Sequence, residues 1–282
     1  MIESYSTRET KKLASLVELY AELDRQSHHA NNEIPLKNLS PSEFYSDYFY
    51  LNHPVVLEGL MTDWPALAKW SFPWLRANFG KYKIEVHANR SLDPKYEQHF
   101  RDNCSTIEFG NFIDLLLSSE ETNDIYLVGR NLILERPEFC GLLNDIINPS
   151  GFLDPDALNH RNVKLWIGPR GTVTPLHHDR GSVLFGQVSG HKHVKLISPF
   201  HLPAMYNDPS TCYSEVALDG EIDLDRFPLM RDVVVGETLI GPGDFLLIPV
   251  AWWHWVRALD PSISLTFKNF FFRAGRIAWD YK

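Results

Sequence analysis

Cysteines and long apolar runs are both scarce in this 282-residue chain. The three cysteines, Cys104, Cys140 and Cys212, are far apart and form no CxxC pair. This spacing argues against a disulfide framework or a structural zinc site and fits a reducing compartment. No stretch approaches the roughly 18 consecutive apolar residues of a membrane span, and no apolar segment follows the polar start MIESYSTRETKK. We therefore expect a cytoplasmic protein without a membrane anchor.

The chain also lacks an excess of basic residues. It has 27 Lys and Arg against 36 Asp and Glu, a formal net charge of −9. Proteins that grip a nucleic-acid backbone need a basic face, so this balance disfavours nucleic acid as the partner. The hydrophobic content of 44% and the aromatic content of 13% are typical of a globular protein with an aromatic core or cleft.

Helical patterns dominate the first part of the chain. In residues 7–27, Leu13, Leu16, Val17, Tyr20 and Leu23 recur at spacings of three and four, which predicts an amphipathic packing helix. The segment HHANNEIP after it predicts a loop. A capping box of Ser40 with Glu43 predicts a short helix, and residues 64–80 and 107–120 also have helical patterns.

Short β-rich runs dominate the rest, separated by Gly, Pro, Asp and Asn. They are PVVLEG, KIEVHA, IYLVG, VKLWIG, VLFGQV, HVKLIS, DFLLIP and SISLTFKNFFF. Many short strands concentrated in the C-terminal half predict a mainly β fold, an antiparallel sandwich or barrel with helices flanking it. The chain shows no internal repeat, so one compact unit with an N-terminal helical segment at 1–34 is the simplest organisation.

The segment TPLHHDRGSVLFGQVSGHKHVKL concentrates histidines and an aspartate in a strand-like pattern. Residues two apart on a strand share a face, so His177 and Asp179 project together and His178 points away. An imidazole beside a carboxylate is two thirds of the 2-His-1-carboxylate triad that holds non-haem Fe(II). The candidate for the third ligand is His254, inside the apolar run PVAWWHWV, where a buried imidazole needs a partner. The alternative is a core histidine bonded to a backbone carbonyl.

Fe(II) with open positions serves oxygen chemistry, and a dicarboxylic oxo acid that chelates the metal still needs a cation for its far carboxylate. Lys192 is the candidate, with Thr174 as an added hydroxyl donor. Arg257 and Lys268 are its rivals, and a surface lysine is the alternative. His191 and His193 flank Lys192 on the same strand and point the other way, so we interpret them as surface or structural residues.

These motifs resemble a known family. TPLHHD, GQVSGHKHVKLISP and GPGDFLLIPVAWWHWVRAL, with HPVVLEGLMTDWPALAKWSFPWLRANFG before them, are similar to the JmjC (cupin-like) Fe(II)/2-oxoglutarate oxygenases of the small protein-hydroxylase type. The resemblance covers about residues 35–272. It implies a double-stranded β-helix (jelly roll) in a JmjC domain at 35–282, with a helical outer layer at 35–125 and a barrel core at about 126–272.

The resemblance also implies roles for single residues. The Fe(II) ligands would be His177, Asp179 and His254. The 2-oxoglutarate contacts would be Lys192, Thr174 and Tyr126, with Trp166 lining the pocket and Asn269 near the cosubstrate. O2 would be the oxidant. One departure is Val183, where family members often carry an asparagine.

The substrate stays open at this level. A protein or peptide side chain of arginyl, lysyl or asparaginyl type is the first expectation, because the resemblance is to protein hydroxylases. A free amino acid, a natural-product intermediate or a tRNA base is an alternative enzymatic substrate. A non-catalytic cupin-like binding protein and a cupin isomerase are the alternatives of another class. Oligomeric state is equally open, with a homodimer among the options.

Overall fold

The computed structural model describes residues 7–27, 33–118 and 120–271. Residues 28–32 of the predicted loop HHANNEIP and the last residues, 272–282, lie outside the described residues. The helices are α1 (Thr7–Gln26), α2 (Pro41–Glu43, continued by a π-helix at Phe44–Phe49), α3 (Pro65–Lys69), α4 (Phe72–Phe79) and α5 (Phe109–Ser118). The strands are β1 (Leu36–Lys37), β2 (Val55–Leu57), β3 (Lys83–Ala88), β4 (Cys104–Glu108), β5 (Ile125–Tyr126), β6 (Val163–Gly168), β7 (Val173–His178), β8 (Val183–Ser189), β9 (Lys192–Ile197), β10 (Gly236–Ile240), β11 (Phe245–Ile248), β12 (Trp253–Ala258) and β13 (Ser262–Phe267).

Two sheets form the barrel. One has the order β1-β2-β11-β8-β13-β6 and the other the order β10-β9-β12-β7; the pairs within them are antiparallel except β1 with β2. A third, smaller sheet has the order β4-β3-β5. Side chains of both larger sheets line one cavity of about 330 Å³. The fold is thus a double-sheet jelly roll, and the prediction of a mainly β, cupin-like fold is confirmed.

Alternation along each strand divides apolar side chains between the two faces of a sheet. On β13, Ile263, Leu265 and Phe267 join the core cluster under the flanking helices, while Ser264 and Thr266 face the other way. Helix α5 adds Phe109 and Phe112 to that same cluster. The helices therefore cover the outer face of the six-stranded sheet and leave the space between the sheets for a site.

The four-stranded sheet alternates in the same way. Trp253 and Trp255 of β12 pack outward in a cluster with the irregular segment around Met205 and Phe227, while His254 and Val256 face the cavity. An apolar tryptophan and a polar histidine are thus neighbours on β12, because their side chains lie on opposite faces of the sheet.

The capping signal predicted at Ser40 and Glu43 agrees with the structure. Ser40 caps α2: its hydroxyl accepts from the Glu43 amide at 3.3 Å, and its own amide donates to Glu43 Oε2 at 2.8 Å. Among the described residues no helix combines the length and the hydropathy that crossing a membrane requires.

Candidate active site

Two histidines meet across the β7–β12 pair. His254 lies opposite His177 in the antiparallel register, and the two ring centroids are 4.0 Å apart. A register shift follows His254, between it and Val256. Both imidazoles line the cavity, so residues 77 positions apart in the chain are brought to one point by sheet pairing.

The backbone fixes the tautomer of both rings. His177 Nδ1 lies 2.9 Å from the carbonyl oxygen of Pro175, and His254 Nδ1 lies 3.1 Å from that of Trp252. A carbonyl oxygen can only accept, so each Nδ1 carries the proton and donates it. When a ring is neutral, its Nε2 is left as a bare lone pair, which is the form of histidine that binds metals.

Asp179 follows β7 directly and lines the same cavity. Its Oδ1 is 3.8 Å from Lys268 Nζ. Its backbone carbonyl accepts a hydrogen bond from the amide of Ala251 at 3.3 Å, and Ala251 adopts a left-handed φ of 68°. The strained turn before β12 is therefore tied to the residue that carries the carboxylate.

Burial and charge set the protonation of this group. Burial and the neighbouring His254 lower the pKa of His177 to about 3, and burial also lowers the pKa of His254. Burial acts to raise the pKa of Asp179, but Lys268, His254 and His177 outweigh it and hold that pKa below its ordinary value. At neutral pH the site holds two neutral imidazoles beside one carboxylate.

Lys192 occupies another part of the cavity. It lies on β9, it is 2% exposed, and its Nζ is 3.2 Å from the Tyr126 hydroxyl and 5.1 Å from the Phe185 ring centroid. Burial lowers its pKa to about 7. In the described ranges no carboxylate lies within ion-pair distance of this ammonium. A buried ammonium without a counter-charge is costly, which makes this a site for an anion.

The other predicted cosubstrate contacts surround that ammonium. Tyr126 is buried and its side chain hydrogen-bonds that of Thr174. Trp166 packs beside Tyr126 with ring centroids 5.9 Å apart, and its indole N–H donates to Thr266 Oγ1 at 3.1 Å. All four residues line the cavity.

Asn269 is not brought to the cavity. Its side-chain amide donates to the Asp154 carbonyl at 2.9 Å and approaches Asn148 Oδ1 at 3.4 Å. The neighbouring Lys268 is the residue that faces the cavity, so the alternation of the chain turns Asn269 away. Its place here is the junction between the end of β13 and the loop at Asp154.

Some of the remaining candidates from the sequence line the cavity, and others lie outside it. His191 and His193 lie outside the cavity, where His191 pairs with Asp260 at 2.7 Å and His193 with Glu237 at 2.8 Å. Arg257 pairs with Glu121. Of the two rivals to Lys192, only Lys268 lines the cavity, and it faces Asp179. Val183, the departure from the family pattern, is also a lining residue.

Sequence reasoning missed the polar groups on another wall. Arg130 donates to the Tyr213 hydroxyl at 2.5 Å, and the Tyr213 ring stacks on His177 with centroids 5.3 Å apart. Glu97 is buried there and pairs with Arg90 at 3.1 Å, and Cys212 also lines the wall. These residues come from turns and irregular segments, where no periodicity singles out a residue that faces the cavity.

Gly168 at the end of β6 is a position where a side chain would disturb this site. A Cβ there would lie 2.6 Å from Tyr126 Cδ2 and 2.8 Å from Thr172 Oγ1. We expect Gly168→Ala to destabilise the fold by about 1–3 kcal/mol, because the buried Tyr126 ring must move. The measurement is the free energy of unfolding by denaturant. Gly141→Ala is the matched control, since a Cβ there meets nothing within 4 Å. Equal effects at both positions would contradict this account of Gly168.

Comparisons with known proteins agree with the fold. The Cupin-like domain family matches residues 41–275. The chain is 30% identical over 242 residues to a protein named lysine-specific demethylase 8 from Xenopus tropicalis, which covers 83% of this chain and 52% of that protein. It is 32% identical over 260 residues to JmjC domain-containing protein D from Dictyostelium discoideum, which covers 83% of this chain and 56% of that protein.

A more distant relative carries another activity in its name. The human bifunctional peptidase and (3S)-lysyl hydroxylase JMJD7 is 24% identical over 262 residues, which covers 81% of this chain and 80% of that protein. The chain spans about half the length of the first two relatives. On the matched domain and these relatives together, the chain belongs to the JmjC group of the cupin-like domain family.

Proposed function

We propose that the chain is an Fe(II)- and 2-oxoglutarate-dependent dioxygenase that hydroxylates an aliphatic C–H bond of a protein or peptide side chain. One observation carries the proposal: a single cavity holds two neutral imidazoles with a carboxylate, and also a buried ammonium that lacks a counter-charge. Membership in the JmjC group supports the reaction class.

The donor set fits Fe(II). His177, His254 and Asp179 supply two neutral nitrogens and one anionic oxygen, the ligand types of the 2-His-1-carboxylate site. Each Nδ1–H is already bonded to the backbone, so Nε2 is the nitrogen that each ring offers. With the side chains in their present positions, no three His, Cys, Asp or Glu residues in the described ranges are placed to bind one metal ion. Binding therefore requires a side-chain adjustment, and Asp179, directed towards Lys268, is the residue we expect to turn.

Lys192 is the proposed anchor for the far carboxylate of 2-oxoglutarate. The ammonium provides the charge, and the hydroxyls of Tyr126 and Thr174 provide hydrogen bonds beside it. The apolar wall residues Phe185, Ile248 and Val256 keep water from this end of the cavity. A desolvated lysine gains most from an anion, because it has already lost its hydration.

The bound metal and 2-oxoglutarate would supply the oxidising chemistry with O2, and the protein would supply position and protection. Tyr213 covers one face of His177, and Arg130 holds the Tyr213 hydroxyl. Trp166 is fixed by Thr266 on another wall. These residues would restrict the directions from which the target carbon can approach the metal, and they would limit the access of water to the reacting centre.

Arginyl, lysyl and asparaginyl side chains are the proposed targets. Two relatives carry lysine-directed activities in their names, a demethylase and a lysyl hydroxylase. The test is mass spectrometry of proteins and metabolites from cells with the wild-type chain or with Asp179→Ala. A peptide that gains one oxygen only with the wild-type chain supports the proposal. A gain confined to a free metabolite would replace the peptide substrate with a small molecule.

The lowered pKa of Lys192 predicts that cosubstrate binding depends on pH. The free site releases the Lys192 proton as pH rises through about 7, whereas bound 2-oxoglutarate favours the ammonium and raises its pKa. Binding then takes up as much as one proton near about pH 8, and affinity falls by up to about tenfold per pH unit above 7. Titration calorimetry of the metal-loaded protein in buffers of different ionisation enthalpy measures that uptake.

Lys192→Arg is the control for this dependence. A guanidinium stays charged throughout the range, so its affinity should be flat with pH even if it is lower overall. Proton uptake that persists unchanged in Lys192→Arg would place the titrating group elsewhere.

A further inference from the structure

Helix α1 projects from the body of the protein. Every residue from Thr7 to Leu16 is exposed, and Ala21 is the one buried residue in the helix. Two contacts with the body lie towards its C-terminal end: Tyr20 stacks on Phe200 with centroids 5.0 Å apart, and Asp24 pairs with His201 at 3.3 Å. The sequence pattern predicted a packing helix, yet every residue of its first half is exposed.

This helix carries an exposed apolar stripe. Its members, with their exposed fractions, are Leu13 (48%), Leu16 (47%), Leu19 (54%), Tyr20 (44%) and Leu23 (52%). Spacings of three and four keep them on neighbouring ridges of one side. A row of exposed leucines is typical of a surface that binds a partner.

The charges of α1 indicate which partner. Its first half has three basic residues, Arg8, Lys11 and Lys12, and one acidic residue. Its second half has three acidic residues, Glu18, Glu22 and Asp24, and one basic residue. The first and last turns each contain one charge of either sign, so the helix macrodipole does not account for this asymmetry.

We propose that α1 pairs in antiparallel orientation with α1 of a second copy of this chain. A twofold axis through the middle of the pair sets the basic half of each helix against the acidic half of the other. The projecting half of one helix then covers the anchored half of its partner, and the leucines of both meet in one seam. A parallel pair would oppose like charges.

Charge reversal tests this arrangement in the full-length chain by sedimentation equilibrium at low salt. The wild type should be a dimer at micromolar concentrations. Lys11→Glu with Lys12→Glu should weaken self-association by at least about tenfold, and so should Glu18→Lys with Glu22→Lys. Mixing these two variants should give a heterodimer. Both halves of α1 are net acidic in the first variant and net basic in the second, so the two helices attract each other. All four substitutions in one chain should restore the homodimer.

Lys37→Glu with Lys81→Glu is the matched control, since it makes the same change in net charge at two exposed lysines outside α1. Helical content by circular dichroism shows whether each variant keeps α1. A wild type that is monomeric at all concentrations overturns the proposal, whether or not another protein binds the helix. So does a dimer that the half-reversed variants leave unchanged, or two variants that do not associate when mixed.

Discussion

Asp179→Ala is expected to abolish substrate-coupled succinate formation, because the carboxylate is the single anionic ligand in the proposed metal set. Loss of an outer partner of a metal ligand already costs about 10–100-fold in affinity or activity, and loss of the ligand itself should cost at least that much. The measurement is succinate release with Fe(II) and 2-oxoglutarate, together with metal content after dialysis. Both should fall in the variant.

His191→Ala is the control for this loss. His191 is one of the histidines of the same segment, but its ring pairs with exposed Asp260 outside the cavity. We expect this variant to keep wild-type turnover and metal content. Full turnover in Asp179→Ala would contradict the ligand assignment, and equal losses in both variants would point to general destabilisation.

Lys192→Met is expected to remove 2-oxoglutarate binding and to raise the stability of the protein. The binding loss should reach at least about 30-fold, since a buried charged hydrogen-bond partner is worth roughly 2–5 kcal/mol and about 1.4 kcal/mol is tenfold in affinity. The gain in stability follows from burial, which lowers the pKa of Lys192 from 10.5 to about 7 and so disfavours the charged form in the folded state. Methionine keeps the volume and removes that cost.

The sign of the pH effect is part of the same prediction. Between about pH 7 and 10.5 the unfolded chain binds the Lys192 proton and the folded chain has released it, so the contribution of this group to stability rises with pH. The advantage of Lys192→Met should be largest below pH 7, where it is on the order of a few kcal/mol, and should shrink as pH rises. Thermal unfolding at several pH values without ligand measures it.

Lys195→Met provides the comparison on the same strand. Lys195 points to the other face of β9 and donates to the Leu218 carbonyl at 3.0 Å. The Lys195→Met variant should therefore bind 2-oxoglutarate with the wild-type affinity. Retained affinity in Lys192→Met would show that the anion binds elsewhere, for example at Lys268.

Alternation along strands is what made the site predictable from sequence. The shared face of His177 and Asp179, two residues apart, follows from a period of two, whereas His254 was predicted because an imidazole inside an apolar run needs a partner. The same period separated Lys192 from its two flanking histidines. What the pattern could not supply was which strands pair, and the 4.0 Å approach of His177 to His254 depends on that pairing.

Other features had no such signal. Strands β4 and β10, CSTIE and GETLI, were not predicted, because most of their side chains are exposed or half-buried and lack apolar alternation. Arg130 and Tyr213 lie in segments held by tertiary contacts, where local sequence carries little information. For Asn269 the resemblance suggested a cavity position, but the chain direction after β13 directs Lys268 inward instead.

The most direct test is an anaerobic titration of the protein with Fe(II) and 2-oxoglutarate together. Its signal is the visible charge-transfer absorption of a 2-oxo acid chelated to ferrous iron. We expect the wild-type chain to show that absorption at one equivalent of each. Asp179→Ala should lose it through loss of metal, and Lys192→Met should lose it at the same 2-oxoglutarate concentration while still binding Fe(II). A wild-type chain that binds neither Fe(II) nor 2-oxoglutarate would contradict the account and leave a cupin-like binding protein in its place.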